Sequence, residues 1–216
     1  MTLSPWIAPL LVLTWLPLAC KSTEGHDRAE ATALRVESVG GAAGQTQLRL
    51  DESLAALEQI VATAKQDPKP AFQSFTKALG SFQKELANLA SERAALQKES
   101  QAWFDEFAKQ NATIQDPALR TKGEKRLADL RGSTTETSSR FTKFIEQARG
   151  FESRLGDLRK FLGNDLTPAG IEAVSSRIKS TAKEGRELAA ELGELSKKSA
   201  ALAEPLRAAR QPAPAQ

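Results

Sequence analysis

Four long runs of residues, mostly apolar and spaced alternately by three and four, constrain this chain more than any other feature. The first holds Leu50, Leu54, Leu57, Val61 and Ala64, and its spacing extends back through Ala43, Gly40 and Val36. The second runs through Phe72, Phe75, Leu79, Phe82, Leu86, Leu89, Arg93, Leu96, Ser100, Trp103 and Phe107. The third takes Leu127, Leu130, Thr134, Thr137, Phe141, Phe144, Ala148, Phe151, Leu155, Leu158 and Leu162. The fourth takes Ile171, Val174, Ile178, Thr181, Gly185, Leu188, Leu192, Leu195, Ser199, Leu202 and Leu206. An α-helix turns once in about 3.6 residues, so this alternation keeps each run on one helix face. A strand needs alternation by two. The chain has no alternating Val/Ile/Thr runs and no Asn-Gly or Asp-Gly turns.

The breaks between runs are equally specific. Asp67-Pro68 stops the first, because proline lacks an N–H and its ring collides with the preceding turn. Pro70 suits the first turn of the next helix. Asp116-Pro117 and Thr167-Pro168 each place a capping side chain before a proline at the first helical position. Gly163-Asn164 reads as a helix stop with left-handed backbone, and Pro205 is expected to end or bend the last helix. These signals predict helices at about 46–66, 70–112, 117–163 and 168–204. Short connections force neighbours to run antiparallel. The expected fold is all-α: an elongated antiparallel, up-down-up-down bundle of three to four long helices with coiled-coil-like packing, spanning residues 46–208. Residues 209–216, with the run QPAPAQ, are expected to be a disordered tail.

Residues 20–45 are polar and rich in small side chains. They read as a tether that is partly helical near its end. Gly40, Gly41 and Gly44 weaken any helix there, each by about 1 kcal/mol relative to alanine.

Residues 6–16 are apolar and uncharged. A membrane span needs about 20 such residues, whereas a signal-peptide core needs fewer. The stretch leads to Leu18-Ala19-Cys20, which resembles a lipobox. The resemblance implies a lipoprotein signal peptide at 1–19, cleavage between Ala19 and Cys20, and lipidation of Cys20. The alternatives are an uncleaved anchor or a signal cut by another peptidase, although no Ala-x-Ala pair precedes position 20. Lys21 follows the cysteine where inner-membrane retention would place Asp. The expected location is therefore the cell envelope, lipid-anchored, on the periplasmic face of the outer membrane if the host is Gram-negative.

Composition narrows the chemistry. One Cys excludes an internal disulfide. One His and one Cys cannot supply the three or four ligands of a His/Cys metal site. Thirty Lys and Arg stand against 27 Asp and Glu, and a net charge of +3 does not point to nucleic acid. There is no Glu-x-x-His pair and no phosphate-binding glycine loop. With His26 in the expected tether, no Ser/His/Asp triad can be assembled. The expectation is a protein that is not an enzyme, with no cofactor and no metal.

One zone departs from the apolar pattern. Folding the second helix onto the third at 113–116 brings Arg93 near Thr134 and Thr137, with Ser100 close by. Folding the first helix at 66–69 brings Ala43 to the same level. Arg93, Ser100, Thr134 and Thr137 thus form a candidate polar waist. It is either a device that fixes helix register or a small polar pocket. Phe104 lies beside its stripe, to face a partner or to widen the core.

The segments FQSFTKALGSF (72–82), Trp103-Phe104-Asp105-Glu106-Phe107 and LRKFLGNDLTPAGIEAVSSRI (158–178) carry a family resemblance. Over residues 46–206 the chain resembles a family of uncharacterised bacterial lipoproteins, classed as a domain of unknown function. The resemblance implies a helical, membrane-tethered envelope protein, with no activity and no functional residues to carry over. The expected function is a membrane-tethered envelope lipoprotein with a structural or protein-interaction role and envelope proteins as partners. The alternative is a small-ligand carrier or sensor using the polar waist.

Overall fold

The computed structural model describes residues 24–208. The expected signal peptide at 1–19, the Ala19-Cys20 processing site and the tail at 209–216 lie outside the described residues. Within them the chain forms four α-helices: α1 (Glu24–Ala62), α2 (Lys69–Ala112), α3 (Pro117–Asn164) and α4 (Pro168–Ala208).

The helices form a ring in which α1 packs on α2 and α4, and α3 packs on the same two. The diagonal pairs stay apart at the backbone. Cross-helix contacts give the direction. Between α1 and α2, Arg35 meets Glu92 at 3.5 Å and Thr46 Oγ1 donates to the Glu85 carbonyl at 3.1 Å. Between α1 and α4, Glu37 meets Arg207 at 2.6 Å and Gly40 O accepts from Ser196 Oγ at 3.0 Å, while Glu58 meets Arg186. Between α2 and α3, Gln83 donates to Glu152 at 2.9 Å and Asp105 meets Arg131 at 3.6 Å. Arg154 meets Glu184 between α3 and α4. As numbers rise along one helix they fall along its neighbour, so neighbouring helices run antiparallel.

The stripes form the core. Phe75, Phe82, Phe141, Phe144 and Phe151 are fully buried, as are Leu50, Leu57, Leu79, Leu89, Leu96 and Leu155. Each such side chain contributes about 1.5–3 kcal/mol by leaving water. Phe104 is buried and widens this core. The caps of α3 and α4 form as expected. Asp116 accepts from the Ala118 and Leu119 amides at 2.8 and 3.3 Å, and Thr167 Oγ1 accepts from the Gly170 amide at 3.1 Å.

Four expectations are corrected. Residues 24–45 are not a tether but the first half of α1, with Ala29, Ala33, Val36, Val39 and Ala43 buried. The glycine penalty is outweighed because small side chains let α1 approach its neighbours closely. Gly40 faces α4, where an added β-carbon would stand 3.4 Å from Ser199 Cβ. The first helix also ends earlier than residue 66, at Ala62, with a turn at 63–65. The helix stop at Gly163-Asn164 does not use left-handed backbone, since no described residue has positive φ. Instead α3 runs through Asn164 and the Asp165 amide donates to Phe161 O at 3.0 Å. Finally, α4 continues past Pro205 to Ala208. The proline is exposed while Leu202, Ala203 and Leu206 stay buried, so packing outweighs one lost hydrogen bond.

Candidate functional site

The α2–α3 seam changes character about two-thirds of the way along α2. Elsewhere the facing positions hold Leu and Phe. Here α2 presents Arg93, Gln97 and Ser100, and α3 presents Thr134, Thr135, Ser138 and Ser139. These α3 side chains are too short to fill the space between the helices. A cleft of about 520 Å³ opens there, with Phe104 and Arg131 toward one end and Lys143 and Glu146 toward the other. Its size falls within the range of about 300–1,000 Å³ usual for small-molecule sites.

Three of the four residues expected at the waist meet in this cleft: Arg93, Ser100 and Thr134. Thr137 does not line it and is only half-buried. Ser138 is buried in its place. A straight helix drifts relative to a strict heptad, and here the buried face of α3 moves by four residues, from Thr134 to Ser138, rather than by three. Ala43 is not level with Arg93 either. Arg35 is, because its guanidinium reaches Glu92. The short turn after Ala62 moves the fold-back point of α1 toward lower numbers.

Some of the cleft hydroxyls are satisfied within their own helices. Ser100 Oγ donates to Gln97 O at 3.2 Å and Thr142 Oγ1 to Ser138 O at 3.0 Å. Others are not. Among the described residues, five buried side-chain polar atoms have no hydrogen-bond partner, and three of them share this cleft: Arg93 Nε, Thr134 Oγ1 and Ser138 Oγ. Thr134 is 2% exposed and Ser138 7%. An unmet buried polar group costs about 1–3 kcal/mol, so three in one place mark a local concentration of unused hydrogen-bonding capacity.

The charge of the cleft is one-sided. Arg93, Arg131 and Lys143 face a single carboxylate, Glu146. Arg131 is shared with Asp105 and lies over the Phe104 ring at 5.3 Å. Arg93, Lys143 and Glu146 form no ion pair among the described residues. With one carboxylate, no histidine and no cysteine, the lining offers hydrogen bonds and positive charge rather than an acid–base pair. Titration is perturbed elsewhere. Burial pushes the Asp51 carboxyl up, against the Arg186 guanidinium, and hydrogen bonds from the Thr167 side chain and backbone hold Asp165 down.

The heptad stripe does not mark Thr135, Ser138, Ser139 or Thr142. The signal that marks them is the run RGSTTETSSRFT at 131–142. Serine and threonine are mediocre helix formers, and such a concentration inside a long helix is unusual. Among the described residues, no group of three or more His, Cys, Asp or Glu could hold a metal ion. No described helix is long and apolar enough to cross a membrane. No family model, curated protein or solved structure matches the chain.

Proposed function

We propose that this chain is a membrane-tethered envelope lipoprotein with a structural or protein-interaction role, held by a lipid on Cys20. The observation that carries the reading is the apolar, uncharged stretch at 6–16 that leads to Ala19-Cys20, and the position of α1 sets its consequence. The helix begins at Glu24, the fourth residue after Cys20, and is packed into the bundle almost from its start. Four residues reach at most about 14 Å, so a lipid on Cys20 holds the bundle itself close to the bilayer. Counting back along α1 from the Arg35–Glu92 contact, Glu24 lies level with about Trp103 of α2. The α2–α3 turn at 113–116 then stands at the tethered end, and the turns at 63–68 and 165–167 stand at the far end. The long helical faces between them, with charges of both signs, are the surfaces offered to other envelope proteins.

The resemblance to a lipoprotein family supports the same reading. Membrane fractionation of wild type and Cys20→Ser tests it. The variant is expected in the soluble fraction or as an unprocessed precursor. A variant that fractionates and migrates like the wild type overturns the proposal.

A second reading, a small-ligand carrier or sensor, is favoured by one observation: the unpartnered donors gathered in the α2–α3 cleft.

A further inference from the structure

We infer that the α2–α3 cleft binds a small oxyanion, a phosphate or carboxylate carried on a compact polar molecule. The inference rests on the ligand-carrying reading of the cleft and adds the class of ligand.

Three unused groups define the site. Arg93 Nε can only donate, and the Thr134 and Ser138 hydroxyls can each donate. Both hydroxyl residues are more than nine-tenths buried, so open solvent does not serve them. A residue that served only to fix register would bond across the seam. Arg93 does not: among the described residues the hydroxyls opposite it have no partner, and neither has its Nε. An anionic oxygen entering the cleft offers these donors the acceptor they lack, with the charge-assisted bond to arginine the strongest available.

Charge selects the same class. A cationic ligand would meet Arg93 and Lys143, neither of which has an ion-pair partner among the described residues, and one lining carboxylate. A neutral ligand would gain nothing from the half-buried Arg93 charge, whereas an anion would. The cleft, at about 520 Å³, is larger than a bare phosphate fills, so the oxyanion is one end of a larger polar molecule. Glu146, toward the opposite end of the lining, can accept from a hydroxyl on that molecule. The same chemistry could come from a soluble ester or acid, or from a phosphodiester lipid headgroup.

Equilibrium dialysis of the full chain in nonionic detergent tests this, with inorganic phosphate, citrate and sorbitol as probes at constant ionic strength. Phosphate and citrate are expected to bind saturably and to compete with each other. Arg93→Leu is expected to weaken binding about tenfold or more while helical content is kept. If Arg93→Leu does not fold, the double variant Thr134→Val with Ser138→Ala carries the same expectation. Displacement of phosphate by phosphatidylglycerol in mixed micelles with the detergent, but not by phosphatidylcholine in the same form, assigns the site to a headgroup. Displacement by citrate alone assigns it to a soluble anion. Binding that Arg93→Leu leaves unchanged overturns the proposal. Saturable binding of sorbitol alone overturns the anion class but leaves the ligand-carrying reading standing. No saturable binding of any probe overturns both.

Discussion

Leu54 on α1 and Gly185 on α4 meet with no room for a β-carbon on the glycine: one placed there would stand 2.6 Å from Leu54 Cδ2. The same atom would lie 2.8 Å from Phe151 Cζ on α3, so three helices converge on this one residue. Leu54 and Phe151 are both buried, so both side-chain tips must repack within the core if the glycine gains a β-carbon. Gly185→Ala is therefore expected to destabilise by about 1–3 kcal/mol, although alanine is the better helix former. Gly41→Ala is the contrast, because an added β-carbon there meets nothing within 4 Å. It should stabilise by about 0.5–1 kcal/mol. Urea unfolding followed by circular dichroism reads both. Stabilisation by Gly185→Ala would mean that the helices are not this close.

Leu86→Ala and Phe141→Ala are each expected to cost about 2–5 kcal/mol, since both side chains are buried in the stripe. Leu48→Ala should change stability by no more than about 0.5 kcal/mol, as Leu48 is 46% exposed. Arg93→Leu should hold or raise the melting temperature, because it removes a poorly compensated charge from the cleft wall. A sharp fall would show that Arg93 supports its neighbours in a way the unpartnered Nε does not reveal.

The turn into α4 should show a distinct pH dependence. Asp165 Oδ1 accepts from Thr167 Oγ1 at 2.6 Å and from the Thr167 amide at 3.2 Å, and these bonds hold its carboxyl below the ordinary carboxylate value. A depressed folded-state value stabilises the fold above the unfolded value of 3.8 and loses that contribution as pH falls through the folded value. Asp165→Asn should remove this acid-side component and leave the remaining pH profile unchanged. Identical acid profiles for the two proteins would contradict the assignment.

With the proposed lipid on Cys20, the start of α1 sets an orientation on the membrane. A fluorophore on Gln115→Cys, in the α2–α3 turn, should be quenched by headgroup quenchers in vesicles carrying the lipidated protein. One on Gln66→Cys, in the α1–α2 turn, should not. The reverse pattern would mean that the bundle is inverted or lies flat.

The sequence makes α2, α3 and α4 legible because their stripes are built of Leu and Phe, whose burial is large and periodic. Asp116 and Thr167 mark two helix starts by local chemistry alone. The first half of α1 is not legible in the same way. Ala29, Ala33, Gly40 and Ala43 stabilise by bringing backbones close, a tertiary effect that helix propensity scores as a penalty. The cleft is partly legible. Arg93, Ser100 and Thr134 interrupt an apolar pattern and so announce themselves, whereas Ser138 enters through drift of the helix face away from a strict heptad. Its unpartnered hydroxyl is visible only once α2 and α3 are placed side by side.

Mass spectrometry of the N-terminal peptide from purified membranes tests the proposed lipid anchor on Cys20. The expected result is a mature chain that begins at Cys20 and carries a diacylglyceryl group on its sulfur. A chain that retains residues 1–19, or one that begins at another residue with an unmodified Cys20, would contradict it.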